Sequence, residues 1–342
     1  MTLPTTAPAP AGPLSAPRSA AGPLLVLLAA TLWGTTGTAA SFAPSGASSL
    51  SIGAATMGLG GLLTLLLAGR SALAVLRGGG RAAPARALLG GLAVAVYPLA
   101  FYTSMAWAGV ATGTVVTIGS SPVFAALLER ALDGTRLTAR WLAATASAGV
   151  GCTALVLTGH AGSGDAAGDR PAAGVALGLL AGAAYAVYTC YGSLLIRAGH
   201  SSRAAMGAMF GLGAAVLLPV FALTGGALVG EPRGLAVAGY LAVVPMFLAY
   251  VAFGAGLARV TPSAATTLSL FEPVVAAALG VVVVGERLGA WAWVGIALVL
   301  AGLLILTVRS SPRRPGRRTT TQLRRSGKQS SESGRRSQRK PH

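Results

Sequence analysis

The chain has 342 residues, of which 54% are hydrophobic and only 10% charged, with a formal net charge of +18. A water-soluble domain of this size needs far more polar surface, so the composition is that of a chain that crosses a bilayer many times. The charge does not point to nucleic acid, because 12 of the 26 Lys and Arg residues lie between Arg309 and Lys340 in a tail with one acid, Glu332.

The first residues, 1–21, are rich in Pro, Ala and Ser and read as a disordered N-terminal tail. The apolar run that follows has no signal-peptidase ending and reads as a retained span. A helix of about 20 apolar residues crosses the hydrocarbon core. Reading between the breakers gives ten such segments, near 22–42, 48–69, 86–107, 111–130, 138–158, 172–194, 204–225, 233–257, 261–284 and 289–308. Backbone polar groups in hydrocarbon must be bonded within the segment, and the alternating polarity of barrel strands is absent, so the expected fold is all-α integral membrane. The basic tail, 309–342, has almost nothing apolar to bury and is expected to be disordered, acting as an orientation signal and touching anionic lipid headgroups.

An internal repeat organises the spans. Shifting the chain by 151 residues lays Pro122–Ala139 over Pro273–Ala290, with identities at nine of eighteen positions. Apolar helices match by chance often, but the proline and the Gly-x-Arg-Leu anchors, Gly134 to Leu137 and Gly285 to Leu288, fall in one register. The expected division is a first repeat at 22–158, a polar linker at 159–171 and a second repeat at 172–308. Five helices per repeat is an odd number, so the two repeats must be inverted relative to one another. Outside the basic tail, eleven arginines fall on the side of the N-terminus and three, Arg170, Arg233 and Arg287, on the other. By the positive-inside rule both termini are expected in the cytoplasm, in a bacterial plasma membrane. Gly174, Gly178 and Gly182 on the sixth span, with Gly207 and Gly211 on the seventh, suit close helix approach.

Glu272 is the sharpest candidate for function. It lies about eleven residues into the ninth span, near the midplane, with no other acid at comparable depth. A charge there is costly, so the carboxyl should be neutral, paired or facing a watery cavity. It has a structural alternative, bonding the backbone carbonyl freed beside Pro273 and holding a bend. Thr266 and Ser269 share its helical face. Thr117 and Ser121 form a comparable stripe on the fourth span, while Tyr185 and Tyr188 on the sixth, Tyr97 and Tyr102 on the third and Trp33 on the first add aromatic surface. Aromatic and hydroxyl walls suit a small organic solute. Mid-span Pro98, Pro122, Pro219, Pro245 and Pro273 each remove a helical hydrogen bond and are candidate bends or gates.

Other chemistries lack their residues. Cys152 and Cys190 lie inside apolar runs and His160, His200 and His342 in loops or the tail, which builds no disulfide framework, metal site or cofactor site. No span carries a central Lys or Arg to neutralise a strongly anionic solute. Neither a phosphate-cradling G-x-x-x-x-G-K-[ST] loop nor an H-E-x-x-H or G-x-S-x-G motif occurs, so an enzyme is not expected.

Leu32-Trp33-Gly34, Phe271-Glu272-Pro273 and Gly285-Glu286-Arg287-Leu288, in this order on ten spans, resemble the drug/metabolite transporter superfamily, most closely its branch of two EamA-type domains. The resemblance covers about residues 22–308. It implies secondary transport of a small metabolite or drug, often export of amino acids or related compounds, through a cavity between the halves; on the reading of the residues themselves, alternating access follows, with Glu272 the candidate for proton coupling. In the first half Thr135 stands where the second has Glu286, which speaks against a symmetric pair of working glutamates. Two other classes compete: a passive facilitator, whose flux persists without a pH gradient and shows no counterflow, and a membrane scaffold or sensor that moves nothing.

Overall fold

The computed structural model describes residues 20–78, 82–134, 137–159, 170–284 and 289–307. Both tails, most of the linker, Thr135-Arg136 and Gly285 to Leu288 lie outside the described residues. Those described form helices and connections without a strand.

The first half runs α1 (Ala21–Gly34), α2 (Thr36–Ala40), α3 (Ser49–Ala68), α4 (Arg70–Arg77), α5 (Ala82–Ala108), α6 (Val110–Asp133) and α7 (Ala139–Gly159). The second runs α8 (Pro171–Arg197), α9 (Ser202–Thr224), α10 (Gly226–Val229), α11 (Pro232–Leu241), α12 (Ala249–Leu257), α13 (Pro262–Leu268), α14 (Glu272–Leu279) and α15 (Ala290–Thr307). A π-helical segment, Ala242–Leu248, joins α11 to α12; a 3₁₀ turn, Ser269–Phe271, joins α13 to α14; a second π segment, Gly280–Val284, follows α14. Nine of the described helical segments are long and apolar enough to cross a membrane. A further helix, α7, is 21 residues long and is not among them. The chain is therefore an all-α integral membrane protein. Two short helices were not expected, α10 and the amphipathic α4, which buries Ala72 and Val75 and exposes Arg70 and Arg77.

Small residues set the packing, as they must where lipid tails give helices no hydrophobic reason to associate. α7 and α15 cross so closely that a Cβ placed on Gly151 would stand 2.5 Å from the Gly295 carbonyl oxygen and 2.6 Å from the Val299 nitrogen. A Cβ on Gly302 would stand 2.6 Å from the Ala144 oxygen and 2.7 Å from the Ala148 nitrogen. Each pair is the other displaced by 151 residues, the shift of the sequence repeat. At the same crossing the Ser147 hydroxyl donates to the Leu298 carbonyl, 151 residues away, at 2.9 Å. The α3–α9 crossing has the same form with a shift of 146: Gly61 lies against the Phe210 oxygen and Ala214, and Gly207 against the Thr64 oxygen and Ala68.

The helix pairings follow the same rule. α5 packs on α8 as α12 packs on α1, and α6 packs on α8 as α14 packs on α1. The pairs α3–α9, α7–α15 and α6–α13 join each helix to its own equivalent. Exchanging the halves leaves this list unchanged, which is the signature of two repeats about a twofold axis. Where each of two such repeats crosses the bilayer an odd number of times, the axis lies in the membrane plane. Large apolar side chains such as Leu66, Leu223, Val282 and Trp291 cover the outside, where lipid is their solvent.

Candidate functional site

The core between the halves is aromatic. Trp33 of α1 lies 5.1 Å from Tyr250 and 6.3 Å from Tyr185 between ring centroids, and Tyr185 lies 5.2 Å from Tyr188 and 6.0 Å from Tyr97. The phenols are tied to the protein: Tyr188 and Tyr250 share a hydrogen bond of 2.7 Å, and Tyr185 and Ser269 one of 2.6 Å. Hydroxyl pairing of this kind fixes the rings and leaves their faces as the free surface.

These rings wall a narrow cavity with about 80 Å³ of space, lined also by Thr36, Thr56, Met57, Pro98, Phe101, Tyr102, Pro245, Met246 and Glu272. Sites for organic ligands run to roughly 300–1,000 Å³, whereas one water occupies about 30 Å³ of liquid. In this arrangement the cavity admits a few waters and must widen to admit a solute. Among the described residues, Glu272 is the only charged one on its wall. It is partly buried, at the first position of α14, and makes no hydrogen bond or ion pair to a described side chain. The 3₁₀ turn before it and Pro273 after it account for its setting. Pro273 cannot donate a helical hydrogen bond, so the α-helix ends at Leu268 and restarts at Glu272. The Pro245 wall belongs to the other irregular span, inside the π segment, a helical form frequent at functional sites.

The sequence candidates divide into two groups. Trp33, Tyr97, Tyr102, Tyr185, Tyr188, Glu272, Pro98 and Pro245 share the cavity. Ser269 stands one bond behind it through Tyr185. Thr266 donates to the Pro262 and Ser263 carbonyls of its own helix at 3.1 Å. Thr117 donates to the Gly178 carbonyl at 3.1 Å and Ser121 to the Thr117 carbonyl at 2.7 Å, which makes them packing contacts of α6 and α8. Pro122 is buried inside an unbroken α6, and Pro219 faces outward.

Two residues escaped the sequence reading. Tyr250 sits between Trp33, Tyr188 and Phe210, and its signal was a tyrosine five positions after a mid-span proline. Glu129 is a second buried acid, near the end of α6 and not at the depth of Glu272: it is only 6% exposed and accepts a hydrogen bond of 3.0 Å from the Ser263 backbone N–H at the start of α13. Its signal was an acid one helical turn before Asp133, itself paired with Arg197 at 2.7 Å.

Glu129 lies toward the face of the bundle at which α1 begins. Thr145 and Thr267 share a hydrogen bond of 2.9 Å there, joining α7 to α13. At the opposite face a groove of about 530 Å³ opens between α2 and α11, lined by Thr35, Thr38, Phe42, Arg233 and Tyr240, with Arg233 5.9 Å over the Phe42 ring.

Residues 20–157 and 172–308 each match the EamA-like transporter family. The chain belongs to that family. Membership places it in the drug/metabolite transporter superfamily and makes it a multi-pass membrane transporter. It is 36% identical over 292 residues to the uncharacterized transporter YwfM of Bacillus subtilis (strain 168), covering 85% of this chain and 94% of that protein. One solved crystal structure shares the fold at a TM-score of 0.67 and 20% identity, covering 85% of this chain and 98% of that one. The two EamA matches meet around the aromatic cavity, to which α1, α3 and α5 contribute from the first and α8, the α11–α12 span and α14 from the second.

Proposed function

We propose that this EamA-family protein is a secondary transporter of the bacterial plasma membrane that exports a small organic solute by alternating access, with Glu272 exchanging a proton for the solute. One observation carries the reading. A carboxyl without a partner among the described side chains stands at the wall of a cavity between two inverted halves. Burying a charge at such depth costs about 3 kcal/mol on insertion scales, and a group kept there without a structural bond is kept for what it binds. Both termini are taken as cytoplasmic from the arginine asymmetry, so the face latched by Glu129 and Thr145–Thr267 is the cytoplasmic one. Opening that face and closing the groove side would carry the cavity from one compartment to the other, with the irregular segments around Pro245 and Pro273 as the moving parts.

The test begins with comparative extracellular metabolite profiles of deletion and overexpression strains, which supply the solute. That solute is then followed in proteoliposomes holding the purified protein. Saturable flux with counterflow is the expected result. Flux without counterflow would make the protein a facilitator, and identical profiles in all strains would leave it a scaffold or sensor.

A further inference from the structure

The walls of the cavity define a class of solute. Among the described residues, Glu272 is its one charge, and no Lys or Arg is among its lining residues. The titratable groups facing Glu272 from the neighbouring helices are the phenols of Tyr97, Tyr102, Tyr185 and Tyr250 and the thiol of Cys152, none of which bears positive charge. Ionised Glu272 therefore has no countercharge among the described residues of this wall. The hydroxyls of Tyr185, Tyr188 and Tyr250 are spent on Ser269 and on each other, so what these rings offer a ligand is their electron-rich faces, beside the hydroxyls of Tyr97 and Tyr102. Trp33, the ring type that binds cations best, stands on the same wall, nine-tenths buried, with its indole N–H unpartnered.

We propose that the cavity is a site for organic cations, taking a protonated or quaternary amine with a compact apolar body: the ammonium centre sits against the Glu272 carboxylate and the faces of Trp33, Tyr185 and Tyr250. An anion would meet the carboxylate with no cation to offset it. A neutral solute would leave the carboxylate buried and unpaired, or require it to hold its proton. Cation and proton thus compete for one carboxyl, which gives exchange of one for the other without further machinery. This inference rests on the transport reading above and narrows it to a solute class.

The experiment uses three isosteres of one shape. Choline carries a positive charge, 3,3-dimethylbutan-1-ol none, and 3,3-dimethylbutanoate a negative one. Binding of each to the full chain in nanodiscs is measured by calorimetry at pH 8, against protein-free nanodiscs. Choline is expected to bind at least tenfold more tightly than the alcohol, and the carboxylate not at all. Glu272→Gln should bring choline down to the alcohol's affinity, Glu272→Asp should keep part of the difference, and Trp33→Leu should weaken choline several-fold more than the alcohol. Equal or tighter binding of the neutral or anionic member, or no binding of any of the three, overturns the proposal. The wild-type series decides the matter without a variant, so a misfolded Glu272→Gln protein does not block it. If a neutral or anionic solute shows saturable counterflow in proteoliposomes, the transport reading stands and only the cationic class falls.

Discussion

Ser121 and Glu272 occupy equivalent positions in the two repeats, each followed by a proline and 151 residues apart. On α6 the small hydroxyl turns back to the Thr117 carbonyl, Pro122 is absorbed, and the helix runs unbroken from Val110 to Asp133. On the equivalent span a carboxyl replaces the hydroxyl, and the helix becomes α, 3₁₀, α and π in succession. A serine can satisfy itself on the backbone it belongs to, whereas a glutamate at this depth needs water, a proton or a ligand. The symmetric parts of the molecule, the Gly151 and Gly302 crossing above all, hold the two halves together. The asymmetric position is the one proposed to supply the chemistry.

The largest effect should come from breaking the symmetric part. Gly151→Val and Gly302→Val each drive side-chain atoms into backbone, and overpacking of this kind costs about 1–3 kcal/mol or more. Membrane abundance should fall at least fivefold for both variants and by similar amounts, as read by immunoblot and fluorescence-detected size exclusion. Next comes the exchange of the two unlike residues. Ser121→Glu places a carboxyl where the backbone carbonyl of Thr117 and packed helices surround it, at about 3 kcal/mol for a charge in the span, and should lower abundance several-fold. Glu272→Ser should accumulate normally and lose gradient-driven transport; equal abundance of both variants would dissolve the distinction between the two sites.

A smaller effect is expected at the face of Glu129. Glu129→Ala leaves the Ser263 N–H without its acceptor, a loss of about 1–3 kcal/mol for a buried donor. Cys190, buried beside this contact, should then react several-fold faster with a membrane-permeant maleimide. Glu129→Gln keeps an acceptor and should stay close to the wild-type rate. Smallest is Thr145→Val, which deletes one interhelical hydrogen bond worth about 0.6 kcal/mol in a membrane protein. Its melting temperature should shift by only a few degrees.

Much of this was readable from the residues. Apolar length located the nine candidate spans within a few positions, because hydrocarbon thickness leaves helices little freedom of length. The proline register exposed the repeat, Trp33 was matched to Tyr185 and Tyr188 by depth, and Tyr97 and Tyr102 were read as aromatic surface of the third span. Facing was harder. Thr117, Ser121 and Thr266 lie at the right depth but on helix–helix seams, and no pattern of small and hydroxyl residues separates a seam from a cavity wall when both are wanted in a bundle. Glu129 was hidden for a different reason: its partner is a backbone N–H on another helix, 134 residues along the chain, which no side-chain pattern reveals. The π segments have no signature in apolar runs such as Gly280–Val284.

The central claim, that Glu272 carries the proton exchanged for solute, is tested most directly by watching the proton. Proteoliposomes with a pH-sensitive dye inside are loaded with the transported solute and diluted into solute-free buffer at equal pH, with the membrane potential clamped. Wild-type protein should acidify the interior as solute leaves, in proportion to the solute lost, and Glu272→Gln should abolish the acidification while solute-for-solute exchange persists at solute concentrations raised to offset its weaker binding. Undiminished acidification in Glu272→Gln would contradict the account and leave Glu272 a structural residue beside a bend.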